Sequence, residues 1–140
     1  MKTTIAAALA GAALLAALPA AAASFTPEQI IHRHMDFGAK NDAAAMADDY
    51  ADDGVILSAG QAVRGKAAIR ASFARMLGPT RGGKAKLDIH PVKITSDGDV
   101  GIVFWEVPGG PHGEDTFLVR HGKVLVQAVF MGATPAPAAR

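Results

Sequence analysis

Asp48-Asp49-Tyr50-Ala51-Asp52-Asp53-Gly54-Val55-Ile56-Leu57, running on through Val63-Arg64-Gly65-Lys66-Ala67-Ala68-Ile69-Arg70 to Leu77, decides the fold. The acidic run reads as a helix end and a turn. Val55 to Ala59 is a short β-branched and apolar strand, and Gly60 to Arg64 reads as a loop. Gly65 can cap the helix that follows. Ile69, Phe73, Met76 and Leu77 form its apolar stripe, with Lys66, Arg70 and Arg75 outside. Gly78-Pro79 ends it in the usual order.

Upstream, Thr26-Pro27-Glu28-Gln29 starts a helix: Thr26 caps, Pro27 takes the first position and Gln29 completes a capping box. The helix should run from Pro27 to about Lys40. At about 100° per residue, Phe37, Ile30, His34, Gly38, Ile31 and Met35 share one arc, so His34 sits in a buried stripe. His32, Arg33 and Asp36 fall opposite. A short helix over Ala43–Asp49 follows, capped by Asn41 or Asp42.

Downstream, Gly82-Gly83 is a connector, and the apolar period then changes to two. Leu87 and Ile89 alternate with Lys86, Asp88 and His90. Val92 and Ile94 resume on the other parity, and Pro91 at the break predicts a bulge or bend. Ser96 to Asp99 is a turn. Val100 to Val107 is apolar on both faces, which predicts a central, doubly covered strand. Pro108 to Gly113 is a loop. Asp115–Arg120 and Lys123–Met131 form a hairpin about His121-Gly122, a pair that favours a type I′ turn. That turn pairs Val119 with Val124, Phe117 with Val126 and Asp115 with Ala128, and opposed residues share a face. Leu118, Gln127, Val129 and Met131 then fall on the other, mixed face. Helices mostly preceding antiparallel strands make an α+β pattern.

Met1-Lys2, the apolar run Ile5 to Leu18 and the alanines to Ala23 read as a secretory signal peptide over residues 1–23. The domain then occupies 24–133, and the Pro/Ala-rich residues 134–140 read as a disordered tail. The destination is exported, periplasmic or secreted, with no membrane attachment after cleavage. The sequence carries 14 Lys+Arg and 13 Asp+Glu, and losing Lys2 with the leader balances them. That balance argues against a nucleic-acid footprint. With no cysteine, disulfides, thiol nucleophiles and thiolate metal sites are excluded.

The phrase YADD-G-VIL…VRGKAAIRASFARML resembles the nuclear transport factor 2-like superfamily, in particular its SnoaL-like branch. The resemblance covers nearly everything after the leader. It implies a cone-shaped roll: about three N-terminal helices packed on a strongly curved, mainly antiparallel sheet around an apolar pocket. It also implies frequent dimerisation through the outer sheet face, which Leu118, Val129 and Met131 would suit. One such fold hosts many chemistries, so function must come from the site.

Two residues lead as site candidates. Asp115 shares a face with Phe117, Val119, Val124, Val126 and Ala128, and an apolar setting raises a carboxyl pKa. His34 lies in the buried stripe of the first helix. Steroid isomerases of the superfamily carry a Tyr, an Asp base and a protonated Asp; their positions fall here on His34, Ser58 and Asp115. Ser58 cannot abstract a proton from carbon unaided, so the familiar isomerase chemistry is incomplete. Polyketide cyclase members use an Asp and a His on an activated carbonyl compound, which a His34–Asp115 pair could resemble. Ile31, Phe37, Ser58, Phe104, Glu106, Phe117, Ala128 and Phe130 are the expected pocket lining.

No metal or cofactor is expected. Asp48, Asp49, Asp52 and Asp53 read as a solvated helix end, and Gly60 stands in the twelfth place from Asp49 where an EF-hand needs Glu. His32 and His34 point about 160° apart on a helix. The leading expectation is an exported domain binding an unknown apolar small molecule. The alternatives are an isomerase or cyclase using Asp115 and His34, and a homodimeric interaction module with a filled cavity.

Overall fold

A computed structural model describes residues 24–78 and 88–132. The leader at 1–23, the Gly82-Gly83 connector, Lys86, Leu87 and the tail at 134–140 lie outside them.

Helix α1 spans Pro27–Ala39, with the expected capping box: Gln29 N donates to Thr26 Oγ1 and Thr26 N donates to Gln29 Oε1. Helix α2 (Ala43–Asp48) is capped by Asp42, whose Oδ1 accepts from Ala45 N. Strand β1 (Tyr50–Ser58) and strand β2 (Gln61–Arg64) lead into α3 (Lys66–Leu77). Strands β3 (His90–Asp97), β4 (Val100–Glu106), β5 (His112–Arg120) and β6 (Lys123–Gly132) complete the chain.

One six-stranded sheet has the order β2-β1-β6-β5-β4-β3. β1 and β6 run parallel, and every other neighbour is antiparallel. Helices lie on the inner face. Ile30, Ile31, Ile69 and Phe73 from α1 and α3 meet Val103, Phe117, Val119 and Val124 from the sheet. This is the α+β roll expected from the sequence, with a curved, unclosed sheet.

Four local expectations need correction. Residues 61–64 form β2 rather than a loop. Ala59 and Gly60 both take positive φ, and that two-residue turn pairs Ser58 with Gln61. The strand before it begins at Tyr50, well ahead of Val55.

The second correction concerns the last hairpin. His121 and Gly122 adopt the expected positive φ, and Val119 faces Val124. The register then shifts: Leu118 faces Val126, Phe117 faces Gln127 and Asp115 faces Val129. Leu125 is the extra residue of a β-bulge, and one extra residue reverses which face every later side chain takes. Gln127 therefore points inward and is buried, while Ala128 and Phe130 point out and are exposed.

Third, β4 is covered on one face in the single chain. Val103 and Trp105 face the helices, whereas Val100, Phe104 and Glu106 are exposed. Pairing explains the choice: Val103 opposes Asp115 and Trp105 opposes Gly113, so they share the inward face of β5. Gly113 is needed there. A Cβ at that position would lie 2.4 Å from Trp105 Cζ2 and 2.4 Å from the Phe130 carbonyl oxygen.

Fourth, Asp49 is not solvated: it is 1% exposed. Val124 N donates to its carbonyl oxygen at 2.9 Å, tying the end of α2 to the bulged start of β6. The irregularity expected at Pro91 is present, as a register shift between Pro91 and Lys93.

Candidate functional site

Between the helices and the inner sheet face lies a cavity of about 240 Å³. Its walls come from α1, α2, α3, β1 and the strands β4–β6. They are largely apolar, and Met35, Met46, Met76 and Met131 all contribute. The polar groups reaching it are few: His34 from α1, Ser58 from β1, Ser72 from α3, Trp105 from β4, Asp115 from β5 and Gln127 from β6.

His34, Asp115 and Ser58 thus meet at one cavity. The other expected lining residues do not. Ile31 and Phe117 are fully buried in the core beside it, and Phe37 packs partly buried against that core. Phe104, Glu106, Ala128 and Phe130 lie on the outer face, for the reasons of pairing and bulge given above.

Asp115 is held by a chain of hydrogen bonds. Trp105 Nε1–H donates to its Oδ1 at 3.0 Å, and Gln127 Nε2–H donates to its Oδ2 at 2.8 Å. Behind them, the Tyr50 hydroxyl donates a short bond to Gln127 Oε1. Burial pushes the Asp115 carboxyl pKa up; the two donors and nearby His34 oppose that rise, and Glu114 adds to it. The net direction is upward, so the neutral acid is favoured more than in water. The Tyr50 hydroxyl is held well above its usual pKa by burial first, then by Asp115 and Asp49, so it remains a donor.

Across the cavity, His34 is 3% exposed. Its ring meets Tyr50, Phe73 and Phe117 edge-on, with centroids 5.8, 5.4 and 5.5 Å away. Its Nδ1 lies 3.5 Å from Asp49 Oδ2, and Asp49 Oδ1 lies 2.5 Å from Arg33 Nη2. Arg33, expected on the solvent side, is instead half-buried in this pair.

Gln127, Tyr50, Trp105 and Asp49 were not readable as site residues from local pattern. For Trp105 one signal existed, since its bulk must face a small residue and Gly113 supplies it. Among the described residues, no group of three His, Asp or Glu side chains could hold a metal ion. Chemically, the cavity offers one acid, one imidazole and hydroxyls within apolar walls. That set can bind a polar head of a small apolar molecule, and can move a proton on it.

Comparison with known proteins fits this geometry. The model of the SnoaL-like domain family matches residues 31–128. No curated protein matches the sequence significantly. Among solved structures, one similar chain is an NTF-2-like protein of unknown function from Burkholderia xenovorans LB400. It superposes with a TM-score of 0.65 at 20% identity, covering 78% of this chain and 85% of that one. A Sinorhizobium meliloti protein, whose name proposes a polyketide cyclase, gives 0.62 at 24% identity over 72% and 93% of the two chains. A Kribbella flavida DSM 17836 protein, whose name proposes a ketosteroid isomerase, gives 0.64 at 13% identity over 81% and 83%. At these identities the structures speak for the nuclear transport factor 2-like fold, and the family match speaks for descent: the chain belongs to the SnoaL-like domain family.

Proposed function

We propose that this domain binds a small, largely apolar molecule in the cavity, with the molecule's polar group set between His34 and Asp115. The observation that carries this reading is their convergence, from opposite walls, on one unfilled apolar space. Its volume of about 240 Å³ falls below the ~300–1,000 Å³ of drug-sized sites. A single-ring or short-chain ligand suits it better than a steroid.

Trp105 gives the test. It is the sole tryptophan, it lines the cavity, and its Nε1–H is bonded to Asp115. Titration with single-ring enones and phenols should change its emission saturably. Ser72→Phe, which projects bulk into the cavity, should abolish the response. No saturable change with any probe, together with no co-purifying small molecule in native mass spectra of protein from its own host, would sink the reading.

A second reading is favoured by the upward-shifted Asp115 acid beside a buried imidazole: isomerase or cyclase chemistry on a carbonyl compound. Asp115 would donate to the carbonyl oxygen while His34 takes a proton from carbon. Ser58 offers a hydroxyl and no base. Equal turnover of enone or β-keto substrates by Asp115→Asn and the parent would exclude the acid role.

Two further elements belong to the proposal. The leader supports export, and retention of residues 1–23 on the protein recovered from the host would refute it. The outer sheet face supports a homodimer: Leu57, Val100, Phe104 and Phe130 are 43%, 39%, 45% and 70% exposed there, and Phe104 and Phe130 flank Glu114 on neighbouring strands.

A further inference from the structure

The wall opposite Asp115 carries a second buried polar chain. Asp49 closes α2 and His34 sits on the inner stripe of α1, so the α1–α2 packing brings them together. Their side chains are 2% and 3% exposed. His34 Nδ1 and Asp49 Oδ2 face each other at 3.5 Å, and neither atom has a hydrogen-bond partner among the described residues. The other carboxylate oxygen is taken by Arg33, whose guanidinium lies 4.1 Å over the Phe25 ring. Three aromatic rings pack the imidazole and limit its rotation.

A carboxylate can only accept, so the facing nitrogen must carry a proton for the contact to be attractive. In a neutral imidazole that leaves the other nitrogen with a free lone pair. We propose that Asp49, anchored by Arg33, is a positioning residue that fixes His34 as the Nδ1–H form and presents Nε2 to the cavity as a base. This rests on the proposal that the cavity is the working site. It adds to that proposal the direction in which His34 acts: it accepts a proton or a hydrogen bond from the bound molecule.

The geometry makes Asp49→Asn a sharp perturbation. Arg33 is a donor only, so the amide oxygen of the variant must face Arg33. The amide NH₂ then faces His34 Nδ1, which becomes an acceptor, and the ring proton moves to Nε2. Long-range ¹H–¹⁵N correlation on ¹⁵N-histidine-labelled full chain reads this directly without added ligand. His34 is assigned among the five histidines by the resonances missing in His34→Gln. The expected parent spectrum has a protonated Nδ1 and an unprotonated Nε2 near neutral pH, and the expected variant spectrum is inverted. A parent ring protonated on Nε2, alone or together with Nδ1, overturns the proposal even if the variant does not fold. An unchanged tautomer in a folded variant overturns it as well. Because the cavity carries no added ligand in this experiment, failure here is separate from failure of the probe titrations.

Discussion

Replacing Asp115 tests the electrostatics of the cavity most directly. In the parent, both carboxylate oxygens accept a donor, from Trp105 and from Gln127. Asparagine keeps the shape. Its oxygen still accepts from Trp105, while its NH₂ meets the Gln127 NH₂. Turning the Gln127 amide over resolves the clash: the introduced amide then donates to Gln127 Oε1, and Gln127 Nε2 donates to the Tyr50 oxygen. All three links survive, with only the Tyr50 O–H left without its acceptor, so the fold should survive. Leucine keeps only the Tyr50–Gln127 link. It leaves the Trp105 N–H and one Gln127 group buried without partners, at about 1–3 kcal/mol each, or roughly 2–6 kcal/mol in all.

The pH dependence follows from the raised acid. A carboxyl with an elevated folded pKa holds its proton more tightly folded than unfolded. Parent stability therefore declines as pH rises from the unfolded value of about 3.9 to the folded one, by about 1.4 kcal/mol per unit of elevation, and this contribution is constant above it. Asp115→Asn has no such decline. Urea unfolding followed by Trp105 emission should show the variant gaining on the parent as pH rises above about 4 and then holding that gain, with the slope on urea unchanged. At about pH 7 Asn should lie close to Asp, and Leu well below. A difference between Asn and Asp that stays constant with pH would refute the burial argument, and Asn falling as far as Leu would refute the amide rearrangement.

Gly113→Ala should destabilise by about 1–3 kcal/mol through overpacking, because its Cβ would strike the Trp105 ring and the Phe130 carbonyl. The same shift should pull the indole from Asp115 and change its emission, and an unaltered spectrum would argue against that contact. Phe104→Lys with Phe130→Lys should turn the proposed dimer into a monomer in analytical ultracentrifugation while the cavity probes still bind, and a parent that sediments as a monomer would refute the dimer. Mild peroxide should oxidise Met131 and Met76, at 62% and 48% exposure, before Met46 at 5%. Polar sulfoxides at the cavity wall should then weaken binding of apolar probes, with peptide mass spectrometry giving the order of oxidation.

Much of the architecture was legible because local and global preferences agree. The capping box at Thr26, the period of α1 and the His121-Gly122 turn each point to what forms. The candidate site was legible only where an element keeps a strict period. His34 on α1 and Asp115 on β5 could be placed inward by counting. Gln127 could not, because the bulge at Leu125 reverses the parity of β6, and a run of Val124-Leu125-Val126 gives no hint of which residue is extra. On β4 both parities are apolar, so hydrophobicity could not choose between Phe104 and Trp105; strand pairing with Asp115 and Gly113 does. Asp49 looked like one more surface acid of an acidic run. Its burial depends on Arg33 and His34, some fifteen residues earlier, and becomes visible only once α1 and α2 pack.

The bulge has a functional consequence as well as a structural one. Were Leu125 paired with Leu118 in an unbroken ladder, Val126 would face Phe117, and the inward position beside Asp115 would be apolar. The carboxyl would then keep only the Trp105 donor, and the Tyr50 hydroxyl would lose its partner. Leaving Leu125 unpaired thus brings in the amide that links a core tyrosine to the cavity acid. Deleting Leu125 would only remove the bulge, because Leu118 still meets Val126 and Phe117 still meets Gln127. The test is therefore Gln127→Leu, which makes the inward position apolar, takes the acceptor from the Tyr50 hydroxyl and leaves Asp115 with the Trp105 donor alone. The expected result is a folded but weaker domain in which the decline of stability with pH extends to higher pH than in the parent, because a donor that favours the carboxylate is gone. A variant whose pH profile matches the parent would show that Gln127 does not set the proton affinity of Asp115.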